Sequence, residues 1–111
     1  MPHSARTAAL LDLDATTASS LNASLIALGF QGSAKPTQAD LVFCSNRSQR
    51  LGRLLRDRSR RVVVVGRDDS ENAWLSALEA GAADYLCESF EPIQIRWLVQ
   101  SLLGQPQAVA A

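Results

Sequence analysis

Short apolar runs alternate with amphipathic stretches along the whole chain. Residues 7–11 form an apolar run that stops at Asp12, and they predict a buried strand. Residues 15–28 place Leu21, Leu25, Ile26 and Leu28 at helical spacing, and Gly29 follows where a helix ends on a residue without a Cβ. Residues 41–44 are a second run of strand length, and residues 48–58 are helical by Leu51, Leu54 and Leu55. The four consecutive valines at 62–65 are the clearest strand, because β-branched side chains suit a sheet buried on both faces. After a turn at 66–69, Ser70 is placed to cap a helix over 71–80, which Gly81 ends. Residues 84–87 are a last short strand, and Pro92 opens a helix that runs to 103. Strands alternating with helices imply a parallel sheet with helices on both faces, and right-handed crossovers make it doubly wound α/β. Chemistry in such a sheet gathers beyond the carboxyl ends of the strands, here 12–14, 45–47, 66–68 and 87–89.

Composition narrows the function classes. The 111 residues make one domain, expected over 7–103 with flexible ends at 1–6 and 104–111. Hydrophobic residues are 47% and charged residues 20%, enough for one core without metal or disulfide staples. Lys+Arg and Asp+Glu both total 11, so the chain is neither a wholly basic nucleic-acid binder nor an acidic disordered tail. The single histidine, His3, argues against imidazole catalysis, histidine phosphotransfer and a His-rich metal site. Two cysteines, Cys44 and Cys87, are too few for a disulfide scaffold or a cysteine zinc site. No apolar run approaches the ~20 residues of a membrane span, and the default compartment is the cytoplasm. No cofactor is implied.

The C-terminal third carries a more specific signal. Residues 77–86, Ala-Leu-Glu-Ala-Gly-Ala-Ala-Asp-Tyr-Leu, with Phe90-Glu-Pro92 shortly after, closely resemble the end of response-regulator receiver (CheY-like) domains. Residues 40–44 resemble that family's third strand, and residues 28–30 the end of its first helix. The resemblance implies a flavodoxin-like parallel sheet of four or five strands. In a working receiver, an acidic pair after the first strand holds Mg²⁺ and an aspartate ending the third strand accepts the phosphoryl group. A Ser/Thr ending the fourth strand and a Lys ending the fifth then read the modified state. That is phosphoryl transfer built on a carboxylate nucleophile, a divalent ion and a cation. This chain departs at almost every position. Asp12 is kept but its neighbour is Leu13, with Asp14 one residue on; Ser45 falls on the acceptor, Gly66 on the Ser/Thr, and Glu88 on the Lys. Tyr85 matches the family's switch aromatic. The family's second strand and second helix have only residues 31–39 to occupy, fewer than the dozen or so a parallel crossover needs. The helix is therefore expected to be deleted, leaving the first strand at a sheet edge.

The remaining clusters have two readings each. Asp12 and Asp14 are weak candidates for a metal; otherwise they cap the first helix. Cys44 and Arg50 have the C-x5-R spacing of cysteine phosphatases, though the intervening loop lacks a glycine, and Cys44 also reads as a small buried hydrophobe. In a receiver's strand order Cys44 and Cys87 end strands two places apart, about 10 Å, which precludes a bridge. Arginines 47, 50, 53, 56, 58, 60 and 61 crowd one helix and its exit, and residues 68–91 hold seven acids and no Lys or Arg. Arg50, Arg53 and Arg56 form a row spaced by three. They are candidate partner-binding residues, or simply a solvated face. No aromatics interleave with them, which argues against single-stranded nucleic acid. Trp97 lies at the margin of the last helix's apolar stripe and is either an interface anchor or packing. The reading is a non-enzymatic, single-domain pseudo-receiver that signals through a protein partner or a second copy of itself, independently of aspartyl phosphorylation. A small phosphatase using Cys44 and Arg50 is the alternative.

Overall fold

Four parallel strands, β1 (Ala8–Leu11), β2 (Leu41–Ser45), β3 (Val62–Gly66) and β4 (Asp84–Cys87), lie side by side in chain order. The helices are α1 (Ala15–Ala27), α2 (Leu51–Arg56), α3 (Glu71–Glu79) and α4 (Pro92–Leu103). The computed structural model describes residues 6–31 and 35–104. The two central strands, β2 and β3, are buried at every residue, which is why they read as unbroken apolar runs.

Alternate residues of each strand feed two layers. On one face, Ala8, Leu41, Phe43, Val63, Val65 and Leu86 pack with Leu21 and Leu25 of α1 and with Ile95, Leu98 and Val99 of α4. On the other, Ala9, Leu11, Val42, Cys44 and Val62 meet Leu51, Leu54 and Leu55 of α2, and Val64 meets Ala77 of α3. The helices thus cover both faces, as the alternation of elements requires.

The segment between α1 and β2 is where the family's second strand and helix would fall. Its described residues hold one parallel bridge, Gln31 to Thr7, and a 3₁₀ turn, Pro36–Gln38. The Gln31 N–H bonds the Arg6 carbonyl at 2.8 Å while the Leu41 N–H bonds the Thr7 carbonyl at 3.2 Å, so Gln31 and β2 take successive carbonyls of the chain leading into β1. α1 and α2 lie on opposite faces of the sheet. Asp40 finishes the crossing by accepting the Thr7 N–H at 2.8 Å.

Two helix ends follow from glycine. Gly29 (φ +92°) and Gly81 (φ +109°) take the left-handed conformation that ends α1 and α3. In each case the next residue but one past the helix cap bonds back into the last turn, Phe30 N–H to the Leu25 carbonyl and Ala82 N–H to the Ala77 carbonyl, both 3.0 Å. Ser70 caps α3 through the Ala73 N–H, and Glu91 and Gln94 form a reciprocal box at the start of α4, beside Pro92.

The arginine-rich helix is shorter than the 48–58 its leucines predict. The Ser48 hydroxyl accepts the Arg50 N–H at 3.1 Å, a local turn that competes with helix, and Asp57 likewise draws the chain out through the Ser59 N–H at 3.0 Å. Arg50 stands at the start of α2 with helical backbone angles, its carbonyl accepting the Leu54 N–H at 3.1 Å, so it keeps its place ahead of Arg53 and Arg56 while its side chain turns to Asp12. Arg6 donates to the carbonyls of Leu103 and Gly104, joining two residues expected in the flexible ends; the rest of those ends lies outside the described residues. Cys44 and Cys87 are both free, on strands with β3 between them.

Candidate functional site

The loops after the four strands enclose an open cleft of about 630 Å³ at the carboxyl edge of the sheet. Its charged lining is balanced: Asp12, Asp14 and Glu88 against Arg47, Arg50 and Arg67.

Asp12 leaves β1 with φ +58°, a left-handed conformation uncommon for a residue with a side chain, though one that Asp adopts more readily than most. Arg50 grips both carboxylate oxygens, Nη2 to Oδ1 at 3.1 Å and Nε to Oδ2 at 3.3 Å, and the Ser48 hydroxyl donates to Oδ2 as well. Arg50 and Ser48 together hold the Asp12 carboxyl below its ordinary value, and Asp12 in turn raises the Arg50 guanidinium. Asp14 is turned away to cap α1, accepting the Thr17 N–H at 2.8 Å and its hydroxyl at 3.2 Å, which lowers its pKa too. So Asp14 caps the helix as the simpler reading held, whereas Asp12 does not cap; it clasps the loop after β2. Leu13, between them, packs against the α1–α4 core. Among the described residues, no three His, Cys, Asp or Glu side chains converge as metal ligands would.

Ser45 ends β2 nearly buried, and its hydroxyl accepts the Arg47 N–H at 3.1 Å. Glu88 faces Arg67, Oε1 to Nε at 3.3 Å. Gly66 has no room for a side chain. A Cβ there would lie 2.4 Å from the Tyr85 hydroxyl oxygen and 2.9 Å from Asn46 Nδ2. Tyr85 occupies that space and donates its hydroxyl to the Asp68 carbonyl at 2.7 Å, while burial raises its pKa.

Cys44 does not line this cleft. Its side chain is buried among Ala9, Leu11, Val42 and Val62, and burial pushes the thiol pKa up, the opposite of what a thiolate nucleophile needs. Arg50, its partner in the C-x5-R spacing, is held by Asp12. Of the partner-binding candidates, Arg53 and Arg56 are exposed in the last turn of α2, and Arg50 is engaged in the clasp. Trp97 is 61% exposed beside a groove of about 300 Å³ between α4 and β4. Trp74 donates its indole N–H to Asp84 at 3.1 Å. The clasp and the Arg67–Glu88 pair join residues 38 and 21 positions apart, and no local pattern announces either. The Gly66–Tyr85 contact has a signal in hindsight, a glycine ending one strand beside an aromatic in the next.

No family model matches the chain, and no curated protein does. Solved structures do match. A response regulator receiver protein from Burkholderia phymatum superposes with a TM-score of 0.75 at 20% identity, covering 94% of this chain and 99% of that one. This chain has the receiver fold. A putative response regulator from Chloroflexus aurantiacus matches with a TM-score of 0.77 at 20% identity, covering 92% and 100%. HP1043, an orphan response regulator of H. pylori, matches at 0.71 and 17% identity, covering 91% and 99%. At these identities the likeness is one of architecture: four of the receiver's strands in parallel, with helices on both faces. Among the described residues, no helix is long and apolar enough to cross a membrane.

The clasp has a pH consequence. Asp12 and Asp14 have native pKa values below the ordinary 3.8. Their contribution to stability is therefore fully present above that value and is lost as pH falls through the depressed native ones. Arg50→Ala should return the Asp12 carboxyl toward 3.8 and leave Asp14 unchanged, because Asp14 is held by Thr17. Carboxyl-detected NMR titration of both proteins reads this directly. An unmoved Asp12 in the variant would mean the clasp is not formed in solution.

Proposed function

We propose that this protein is a pseudo-receiver: it keeps the receiver fold, acts by protein–protein contact in bacterial signal transduction, and does so without aspartyl phosphorylation. The observation that carries this reading is the clasp of Asp12 by Arg50 and Ser48. It fills the first acid's coordination with a guanidinium and a hydroxyl where receiver chemistry calls for a divalent ion. The neighbouring positions support it. Ser45 offers a hydroxyl, which accepts the Arg47 N–H, instead of a carboxylate nucleophile, and Glu88 puts a negative charge where a phosphate needs a cation. With Tyr85 already seated over Gly66, the switch aromatic needs no phosphate-bound hydroxyl to draw it in. The exposed Trp97 and its groove, and the exposed arginines of α2, supply surfaces for partners.

Incubation with acetyl phosphate and Mg²⁺, followed by intact-mass analysis, tests the reading. The mass is expected to stay that of the unmodified chain. A phosphoryl adduct mapped to Ser45, Asp12 or Asp14 would overturn it.

A further inference from the structure

The α2–α3 layer carries opposite charges on two neighbouring helices, and among the described residues Arg53, Arg56, Glu71 and Glu79 enter no ion pair. On α2, the leucines 51, 54 and 55 turn inward, which leaves Gly52, Arg53 and Arg56 facing out. On α3, Ala77 is the buried residue, and Glu71, Leu75 and Glu79 form an exposed stripe at four-residue spacing. Leu75 is 41% exposed at the centre of that stripe. The stripe spans about 12 Å along the helix axis. Nothing lies within 4 Å of where a Cβ on Gly52 would point, so α2 has an open notch beside its two arginines. The two helices are neighbours on the same face of the sheet, for Leu51 and Leu55 pack into both core clusters on that side.

We propose that this layer is a self-association surface whose occupant is a second copy of this chain, related by a two-fold axis parallel to the helices. Such an axis sets α2 of each protomer over α3 of its partner. The charge arrangement selects it. The arginine face of α2, with its open notch at Gly52, then lies along the Glu71–Leu75–Glu79 stripe of the partner, and this contact is made twice over. The alternative in-plane axis, perpendicular to the helices, sets α2 on α2 and α3 on α3 and places like charges together, which is unfavourable. An isologous contact of this kind closes as a dimer and does not propagate. A small interface of exposed charges around one leucine gives a weak, salt-sensitive complex. The inference rests on the protein-contact part of the function proposed above. A phosphoryl adduct would overturn the phosphorylation-independent part of that reading without changing the oligomeric state measured here.

Sedimentation of the full chain up to millimolar concentration tests it, at about 0.01 M and about 1 M salt, where the screening length falls from about 30 Å to about 3 Å. A monomer–dimer equilibrium is expected at low salt, reverting to monomer at high salt. Arg53→Glu with Arg56→Glu makes both helices acidic, and Glu71→Arg with Glu79→Arg makes both basic. Each double variant alone is expected to be monomeric, and an equimolar mixture should regain the dimer, because both crossed contacts are restored. Leu75→Ser should weaken the wild-type dimer about tenfold without touching a charge. A wild type that stays monomeric at low salt overturns the proposal. So does a dimer indifferent to salt, which would point to the Trp97 face, and so does a mixture that fails to recombine while the wild type dimerises.

Discussion

Truncation of Phe43 to alanine should lower the unfolding free energy by about 3–5 kcal/mol, the cost usual for removing a fully buried aromatic. Phe43 is the largest wholly buried side chain, at the centre of β2 and beneath both α1 and α4. Its neighbours Leu41, Val63 and Val65 belong to strands buried on both faces, so they cannot shift to refill the space without disturbing the α2–α3 side. Domains of this kind have about 5–15 kcal/mol in total, so the variant sits close to its unfolding threshold. Urea denaturation should show a lower midpoint with an unchanged slope. A loss below about 1 kcal/mol would mean that the α1–α4 layer is not packed on β2 as described.

Gly66→Thr should be the most disruptive change at the cleft. A side chain there enters space held by the Tyr85 hydroxyl, 2.4 Å from the new Cβ, and by Asn46, and the Tyr85 ring must swing out and release the Asp68 carbonyl. Overpacking of this kind costs about 1–3 kcal/mol. The contact also predicts a coupling. Tyr85→Phe removes the clashing atom, so the double variant should be less destabilised than the two single changes added together. Additive losses in the double-mutant cycle would show that Tyr85 does not fill the site. The displaced ring should also change the emission of Trp97, which lines the same groove as Tyr85.

Much of the fold was legible because its signals are local. The four valines, the capping serine before α3, the Gly29 and Gly81 helix ends and Pro92 each act within a turn or two, and the structure places them where short-range rules put them. That residues 31–39 are too few for a second strand and helix was legible from chain length alone, and the described ones hold one bridge and a 3₁₀ turn. The site was legible in position but not in geometry. Positional comparison locates Asp12, Ser45, Gly66 and Glu88 at the strand ends, but the clasp of Asp12 depends on where Ser48 turns the chain and brings Arg50 round. Three-residue spacing aligns Arg50 with Arg53 and Arg56 along the backbone, but it does not show that the Arg50 side chain is spent on Asp12. Leucine periodicity over-reads the helix because it registers the buried side and ignores hydroxyls that compete for the backbone at both ends. Asp12 and Asp14 looked alike in sequence. One became a cap and the other a loop-to-loop tie, because Asp14 has Thr17 within reach and Asp12 does not.

The most direct measurement of the central claim is the amide NMR spectrum of the labelled chain before and after addition of beryllofluoride and Mg²⁺. The clasped cleft predicts no change in the signals of residues 12–14, 45–48, 66 and 88, and none in the indole signals of Trp74 and Trp97. Saturable shifts at Ser45 and Gly66 that spread to Tyr85 and Trp97 would contradict it, showing a cleft that still takes up the phosphoryl mimic and transmits its presence to the outer face.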